Sequence, residues 1–288
     1  MTVEPPAPDG RVPVLFVVAH RAAELLADEL FGLGAAAVAE LPSDLEGHVA
    51  LVADLTVGDA ARLGGDRAWA ARAGVRDVRR LEEDRAWSAA WRDHAQIWRC
   101  GPDVVLRPAW IEPDGDSARI EIVLDPGDAF GSGSHPTTRR CVEVVAELVH
   151  DGDRVLDVGC GSGVLAVAAA LAGAASVLAV DIDPEAVRVT PQVAARNGVA
   201  ERVEVRAGSI EQADGRYDLV LANLLVPIVE ELGEHLVAAV RPGGHLVVSG
   251  LLVAHRDRAT RALDGLEVVA GHDDGDWSTL VLASPEEG

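Results

Sequence analysis

"RVLDVGCGSGVLAVAAALAGAASVLAVDID", residues 154–183, decides the fold. It opens on a short run rich in Val and Leu, then breaks into glycines at alternate positions, Gly159, Gly161 and Gly163. An Ala- and Val-rich stretch follows, and a second apolar run ends in Asp181 and Asp183. Strand, glycine turn, helix and strand is the reading this order gives. Strands that are apolar throughout belong in a parallel sheet covered on both faces. Glycines at such a turn let backbone pass close under a ligand. In open sheets of this kind, ligands bind at the carboxyl ends of the strands, where the strand order reverses.

Downstream the alternation continues. Strands are predicted at 176–182, 203–208, 217–224 and 245–252, with helices at 162–172, 184–197, 227–240 and 253–264, and a closing strand pair at 266–271 and 277–283. Pro184 and Pro227 stand at helix starts, where a missing N–H costs nothing. "PGG" (242–244) is expected to separate helix from strand. Upstream, "DVVLRPAW" and "ARIEIVLD" predict a hairpin around "IEPDGD". Residues 82–98 read as a helical connector carrying Trp87, Trp91 and Trp98, of which the first two share a face and anchor it to a domain. The first eighty residues give strand 11–19, helix 21–34, strands 35–41 and 47–55, helix near 57–73 and strand 75–81. That is the ferredoxin-like order. The expected organisation is therefore a small α+β domain over 1–81, a linker over 82–100, and over 101–288 a Rossmann-like α/β domain with seven mostly parallel strands.

Formal charge is −22, every cation is Arg, and no Lys occurs. The missing lysines follow from compositional bias. A surface of this sign repels phosphate backbones, which excludes a nucleic-acid binder and counts against RNA as substrate, and it draws in basic proteins. Cys100, Cys141 and Cys160 are odd in number and lack metal-ligand spacing, so a reducing compartment is expected, with neither disulfides nor a metal site. The uncharged stretch Val158–Val180 is divided by glycines and reads as buried loop, helix and strand, not a membrane span. "MTVEPPAPDG" lacks a basic segment ahead of an apolar one, so no signal peptide is read there. A cytoplasmic protein is expected, and nothing in the sequence demands more than a monomer.

The candidate site residues converge on the strand tips. Asp157 stands two ahead of Gly159, and D-x-G-x-G-x-G spacing with Gly161 points to an S-adenosylmethionine (SAM) site. Asp181 is placed to accept ribose hydroxyls, a role dinucleotide and SAM sites share, while Asp183 before Pro184 caps a helix. Asn223, at the tip of "LANLL", can accept hydrogen bonds from an amine and aim its lone pair at a methyl group. A dehydrogenase would instead need a proton donor. "DPGDAFGSGSHPTT" (125–138) can fold over the methionine end of the ligand. Thr137 and Thr138 at the head of the next helix suit a carboxylate, Phe130 can pack on an apolar part, and His135 orders the loop in preference to acting as a base.

These stretches, together with "ARNGV" and the Trp connector "EEDRAWSAAWRDH", resemble the PrmA family of bacterial methyltransferases of large-subunit ribosomal protein L11. The likeness runs over nearly the whole chain, and its first motif is the most specific. The resemblance implies a class I SAM-dependent methyltransferase acting on lysine or N-terminal amines of L11, with Thr138, Gly159, Asp181 and Asn223 contacting SAM. It also implies that the small N-terminal domain holds the ribosomal substrate and swings relative to the catalytic one. Serines in "GSGSH" and Val226 after "NLL" depart from the family pattern, and the N-terminal domain departs most. A different protein substrate is the alternative within the class, and an NAD-dependent dehydrogenase the alternative outside it.

Overall fold

The computed structural model describes residues 11–286 except 20–21, 24–25, 27–28, 31–32, 34, 36, 44, 46, 82–95, 116–117 and 125–134. Two compact units divide the chain, 1–95 and 96–288. In the first, β1 (Arg11–Ala19), β2 (Ala37–Pro42), β3 (His48–Thr56) and β4 (Val75–Arg80) form a sheet of order β2-β3-β1-β4, antiparallel at each pairing. This is the order and sense of the split βαβ arrangement. The helix expected over 21–34 lies largely outside the described residues, although Ala23, Leu26 and Leu30 are buried with Phe16, Leu55 and Trp69. The single helix expected near 57–73 is two, α1 (Val57–Gly65) and α2 (Arg67–Arg72). Gly64 and Gly65 weaken the first, and the Asp66 carboxylate accepts the Trp69 N–H at 2.8 Å to begin the second.

The second unit opens with β5 (Trp98–Cys100), β6 (Val104–Pro108) and β7 (Ile120–Leu124). β5 and β6 are antiparallel, but β6 and β7 are parallel, with Val104 opposite Ile120. The hairpin expected around "IEPDGD" is therefore a crossover. Residues 109–119 are too many for a tight reversal and enough to carry the chain back along β6. An Arg99–Asp114 ion pair at 2.9 Å and a bond from Arg107 to the Ile111 carbonyl hold this return.

Beyond it lies a seven-stranded sheet. Its strands are β8 (Arg154–Val158), β9 (Ser176–Asp181), β10 (Val203–Ala207), β11 (Tyr217–Asn223), β12 (Val240–Leu252), β13 (Glu267–Asp274) and β14 (Trp277–Ala283), in the order β10-β9-β8-β11-β12-β14-β13. β14 alone runs against its neighbours. The helices are α3 (Pro136–Leu148), α4 (Val164–Ala172), α5 (Pro184–Arg196), α6 (Val226–Ala239) and α7 (Arg256–Ala262). Strand alternation sorts the core. Val155, Val177, Leu219, Leu221 and Val247 pack with α3, α4 and α5, and Leu156, Val158, Val220 and Leu246 with α6 and α7. Every residue from Val164 to Ala170 is buried, which suits a helix built of small side chains. "PGG" does not separate helix from strand: it lies inside β12, whose register on β11 shifts between Tyr217 and Leu219. Gly243, at φ 68°, absorbs the irregularity.

At the amino ends of the strands, charged groups lace neighbours together. The Arg154 N–H donates to Asp218 at 2.8 Å, its guanidinium reaches the Arg216 and Asp214 carbonyls and lies 5.0 Å from the Tyr217 ring, and Asp218 also holds Arg241. No helix among the described residues is long and apolar enough to cross a membrane.

α6 and α7 touch through Gly233. A Cβ there would lie 2.2 Å from the Ala262 carbonyl oxygen, backbone that cannot swing aside. Gly233→Ala is expected to lower unfolding stability by about 1–3 kcal/mol from overpacking, more than the ~1 kcal/mol that helix propensity returns. Urea unfolding checks this, and an unchanged or higher midpoint would show that the helices part freely.

Candidate active site at the carboxyl ends of the sheet

β8 ends in the glycine turn. Gly159, Gly161 and Gly163 all have positive φ, at 72°, 53° and 78°. At two of them the surroundings also demand glycine: a Cβ on Gly159 would lie 2.5 Å from Leu224 Cδ2, and one on Gly163 would lie 2.5 Å from Thr190 Cγ2. The turn is pinned from both sides. The Gly159 N–H donates to the Val180 carbonyl at 2.9 Å, and the Thr190 hydroxyl donates to the Gly161 carbonyl at 3.0 Å. Thr190 is a contact the sequence does not advertise, since it reaches the turn from the middle of α5.

Asp181 forms the tip of β9. One carboxylate oxygen accepts the Gly161 N–H at 2.8 Å and the other the Asp183 N–H at 2.9 Å. The acid thus locks the glycine turn to its own strand end. Asp183 accepts the Glu185 N–H at 2.9 Å and caps α5, as expected from its place before Pro184. Between the two acids, Ile182 is 79% exposed, an apolar side chain standing in water beside Asp181. The sequence reading passed over it.

Asp157 is fully buried. Its Oδ2 accepts the Ala166 N–H at 3.1 Å, while Oδ1 has no partner among the described residues. Burial pushes the carboxyl up to about 7; the Ala166 bond opposes the rise and the charge of Asp181 adds to it. Between about pH 4 and pH 7 the native state therefore holds a proton that the unfolded chain has released, and unfolding free energy falls as pH rises through that window. Asp157→Asn removes the titration. The ligand-free variant is expected to lose stability less steeply across this window, and to gain most over the parent above pH 7. Urea unfolding at stepped pH checks it; a parent profile no steeper than the variant's would refute it.

Thr138 lies in the first turn of α3, 1% exposed, and its hydroxyl has no partner among the described residues. One turn on, Cys141 is buried in the core with Val155 of β8 and Val247 of β12, and that burial pushes its thiol up to about 12. His135 precedes the helix as its N-cap. Its Nδ1 faces the Thr137 N–H at 3.3 Å and the Thr137 hydroxyl at 2.7 Å, and its ring meets Trp277 edge-on at 4.9 Å. Burial, then the charge of Arg139, lowers its pKa to about 4, so the imidazole is neutral. A buried neutral ring with Nδ1 engaged orders the chain. Phe130 lies outside the described residues, as do Trp87 and Trp91.

Asn223 ends β11 on the other side of β8. Leu221 pairs with Asp157, so Asn223 lies beyond it, level with the glycine turn, and its neighbour Leu224 fills the space above Gly159. Its Oδ1 lies near Gly250, where a Cβ would stand 3.2 Å away. No described residue is hydrogen-bonded to its carboxamide. The structure thus gathers Asp157, Gly159, Gly161, Asp181 and Asn223 at one end of one sheet, on both sides of its switch point. "ARNGV" serves elsewhere: Asn197 closes α5, and its carboxamide holds both the N–H and the C=O of Val123 at 2.8 and 2.9 Å.

A group with a ribose, positive charge and an amino-acid end fits these residues. The Asp181 carboxylate lies at the strand tip beside the glycine turn, whose backbone only glycine adopts freely, and among the described residues one buried Asp157 oxygen and the Thr138 hydroxyl at a helix head lack hydrogen-bond partners. Sheet order, glycine turn and tip acids together define a class I SAM-dependent methyltransferase fold. A family model described as Ribosomal protein L11 methyltransferase (PrmA) matches residues 66–285, and the chain belongs to the PrmA family. A Citrifermentans bemidjiense protein named Ribosomal protein L11 methyltransferase is 41% identical over 201 residues, 68% of this chain and 66% of that one. A Syntrophotalea carbinolica protein of the same name is 47% identical over 165 residues, 56% of this chain and 54% of that one. The matched stretch is thus under two thirds of each relative's length. Among solved structures, a ribosomal protein L11 methylase from Lactobacillus delbrueckii subsp. bulgaricus aligns with TM-score 0.61 at 30% identity, covering 67% of this chain and all of that one.

Proposed function

We propose that the chain is a SAM-dependent protein N-methyltransferase that modifies lysine side chains, the N-terminal amine, or both, on ribosomal protein L11. One observation supports the reading: Asn223 ends its strand across the switch point from the glycine turn and Asp181, where a nucleoside-linked donor and an amine would meet. When bound, SAM supplies a sulfonium-activated methyl group. Asp181 would accept the ribose hydroxyls, with Ile182 flanking the base. The backbone of Gly159–Gly163 would run beneath the ligand. Thr138, through its hydroxyl and its backbone N–H in the first turn of α3, would take the carboxylate without any cationic side chain. Asp157 would face the positive charge.

The attacking amine must be neutral. A lysine of pKa about 10.4 is deprotonated about one part in a thousand near pH 7.4, a penalty of roughly 4 kcal/mol, whereas an α-amine near pKa 7.7 loses under about 1 kcal/mol. Asn223 would accept an N–H of that amine and fix its lone pair toward the donor. Leu224 and Leu225 would exclude water, which favours the neutral form. His135, neutral and capped against Thr137, takes no part as a base. Residues 1–81, joined through 82–100, would recognise the substrate, and the net charge of −22 would draw in a basic protein.

The test is incubation with methyl-labelled SAM and purified L11, followed by gel separation. Label in L11 supports the assignment. Label only in another ribosomal protein would move the substrate while keeping the chemistry, and no label in any protein of a ribosomal extract would sink the assignment.

A further inference from the structure

Thr138 can serve a ligand only if the first turn of α3 is held still, and nothing in its own sequence does that. Pro136 supplies no N–H, and the helix has no acidic residue in its first turn. The holding comes from elsewhere. His135 turns Nδ1 onto both the N–H and the hydroxyl of Thr137, satisfying a donor that the helix leaves orphaned. An imidazole on a single χ1–χ2 pair can swing, but this one cannot swing far. Trp277, 6% exposed on the antiparallel strand β14, meets its ring at an interplanar angle of 76°. Two residues on, Thr279 bonds Ser249 of the neighbouring strand β12 at 2.7 Å. β14 therefore meets α3 at its cap and packs along it.

We propose that His135 and Trp277 are positioning residues that fix the head of α3 for the amino-acid end of the cofactor, with Trp277 setting the ring and His135 setting the turn. Neither touches reacting atoms. The inference rests on the SAM reading above and assigns a function to the single strand that breaks the parallel sheet.

Two ligands separate the ends of the site: S-adenosylhomocysteine, which has the amino-acid end, and methylthioadenosine, which lacks it. Calorimetry on the full chain is expected to show His135→Ala and Trp277→Leu each weakening S-adenosylhomocysteine about tenfold, the scale of one or two lost hydrogen bonds, with methylthioadenosine changed less than about twofold. His135→Asn, which keeps an N-cap acceptor, should recover most of the loss. The KM for SAM should rise with turnover at saturation nearly unchanged. Equal weakening of both ligands would mean general loosening and would overturn the proposal, as would unchanged binding in both Ala and Leu variants. If the parent chain binds neither ligand, the SAM reading falls and this inference with it. Should His135→Ala fail to fold, Trp277→Leu alone decides.

Discussion

Asn223→Ala is expected to cut turnover by about a hundredfold or more while leaving affinity for S-adenosylhomocysteine within about threefold. The size follows from what a preorganised polar group at a reacting centre contributes, about 10²–10³ in rate when one is removed. The asymmetry follows from position. Asn223 stands across the switch point from Asp181 and the glycine turn, so its loss leaves the ribose grip intact. The deeper argument concerns orientation. An amine with free rotation presents its lone pair to the donor in few of its poses, and alignment is where enzymes gain several orders of magnitude. Asn223→Asp is the informative companion. A carboxylate still accepts, but it also stabilises the ammonium form and so holds the nucleophile protonated. Its turnover should therefore be low near neutrality and recover partly at high pH, a recovery the alanine variant should not share. Single-turnover methylation with saturating SAM checks both. Equal losses in turnover and in affinity would place Asn223 among the cofactor contacts and remove it from the chemistry.

Asp181→Ala carries the second large effect, and here the loss is expected in binding. The carboxylate does two things at once. It would take the ribose hydroxyls in the proposed complex, and it already accepts the N–H groups of Gly161 and Asp183. Removing it costs the bonds to the ligand, about 1.5–3 kcal/mol for each one made to a charged group, and frees the turn on which the ligand would rest. A loss of at least about a hundredfold in affinity is expected for S-adenosylhomocysteine and methylthioadenosine alike. Asp181→Asn should do nearly as badly. Its amide can offer one oxygen but must turn a donor toward either the Gly161 or the Asp183 N–H, and two donors facing each other repel. Titration calorimetry of the two variants checks this; near-parental affinity in Asp181→Asn would show that charge and both acceptors are dispensable.

The strand, turn and strand of 154–183 were legible because apolar runs and alternating glycines leave few alternatives. Asp183 was legible as a cap because it precedes Pro184. Three other features were not. Alternation marks "DVVLRPAW" and "ARIEIVLD" as strands but says nothing of their relative direction, and β6 and β7 proved parallel. Apolar spacing across 57–73 continues through Gly64 and Gly65, so it hides the restart at Asp66. A bulge can swallow a Pro-Gly-Gly turn signal, as β12 does. Among the candidate residues, spacing alone placed Asp157, Asp181 and Asn223 at the ends of their strands, where the sheet has them. Thr190 escaped because its bond to Gly161 spans sequence-distant elements. Ile182 escaped because exposure at a strand tip depends on where neighbouring strands stop.

The stitching of Arg154, Asp214, Asp218 and Arg241 gives the large sheet a sewn hem and an open one. Its charges sit partly in solvent, where such pairs are individually weak and screened by salt. Molar sodium chloride would therefore loosen that hem and spare the opposite edge, where the glycine turn is held by backbone bonds and partly buried groups. A chain built this way keeps the edge that carries its glycine turn insulated from the ionic weather of its surroundings.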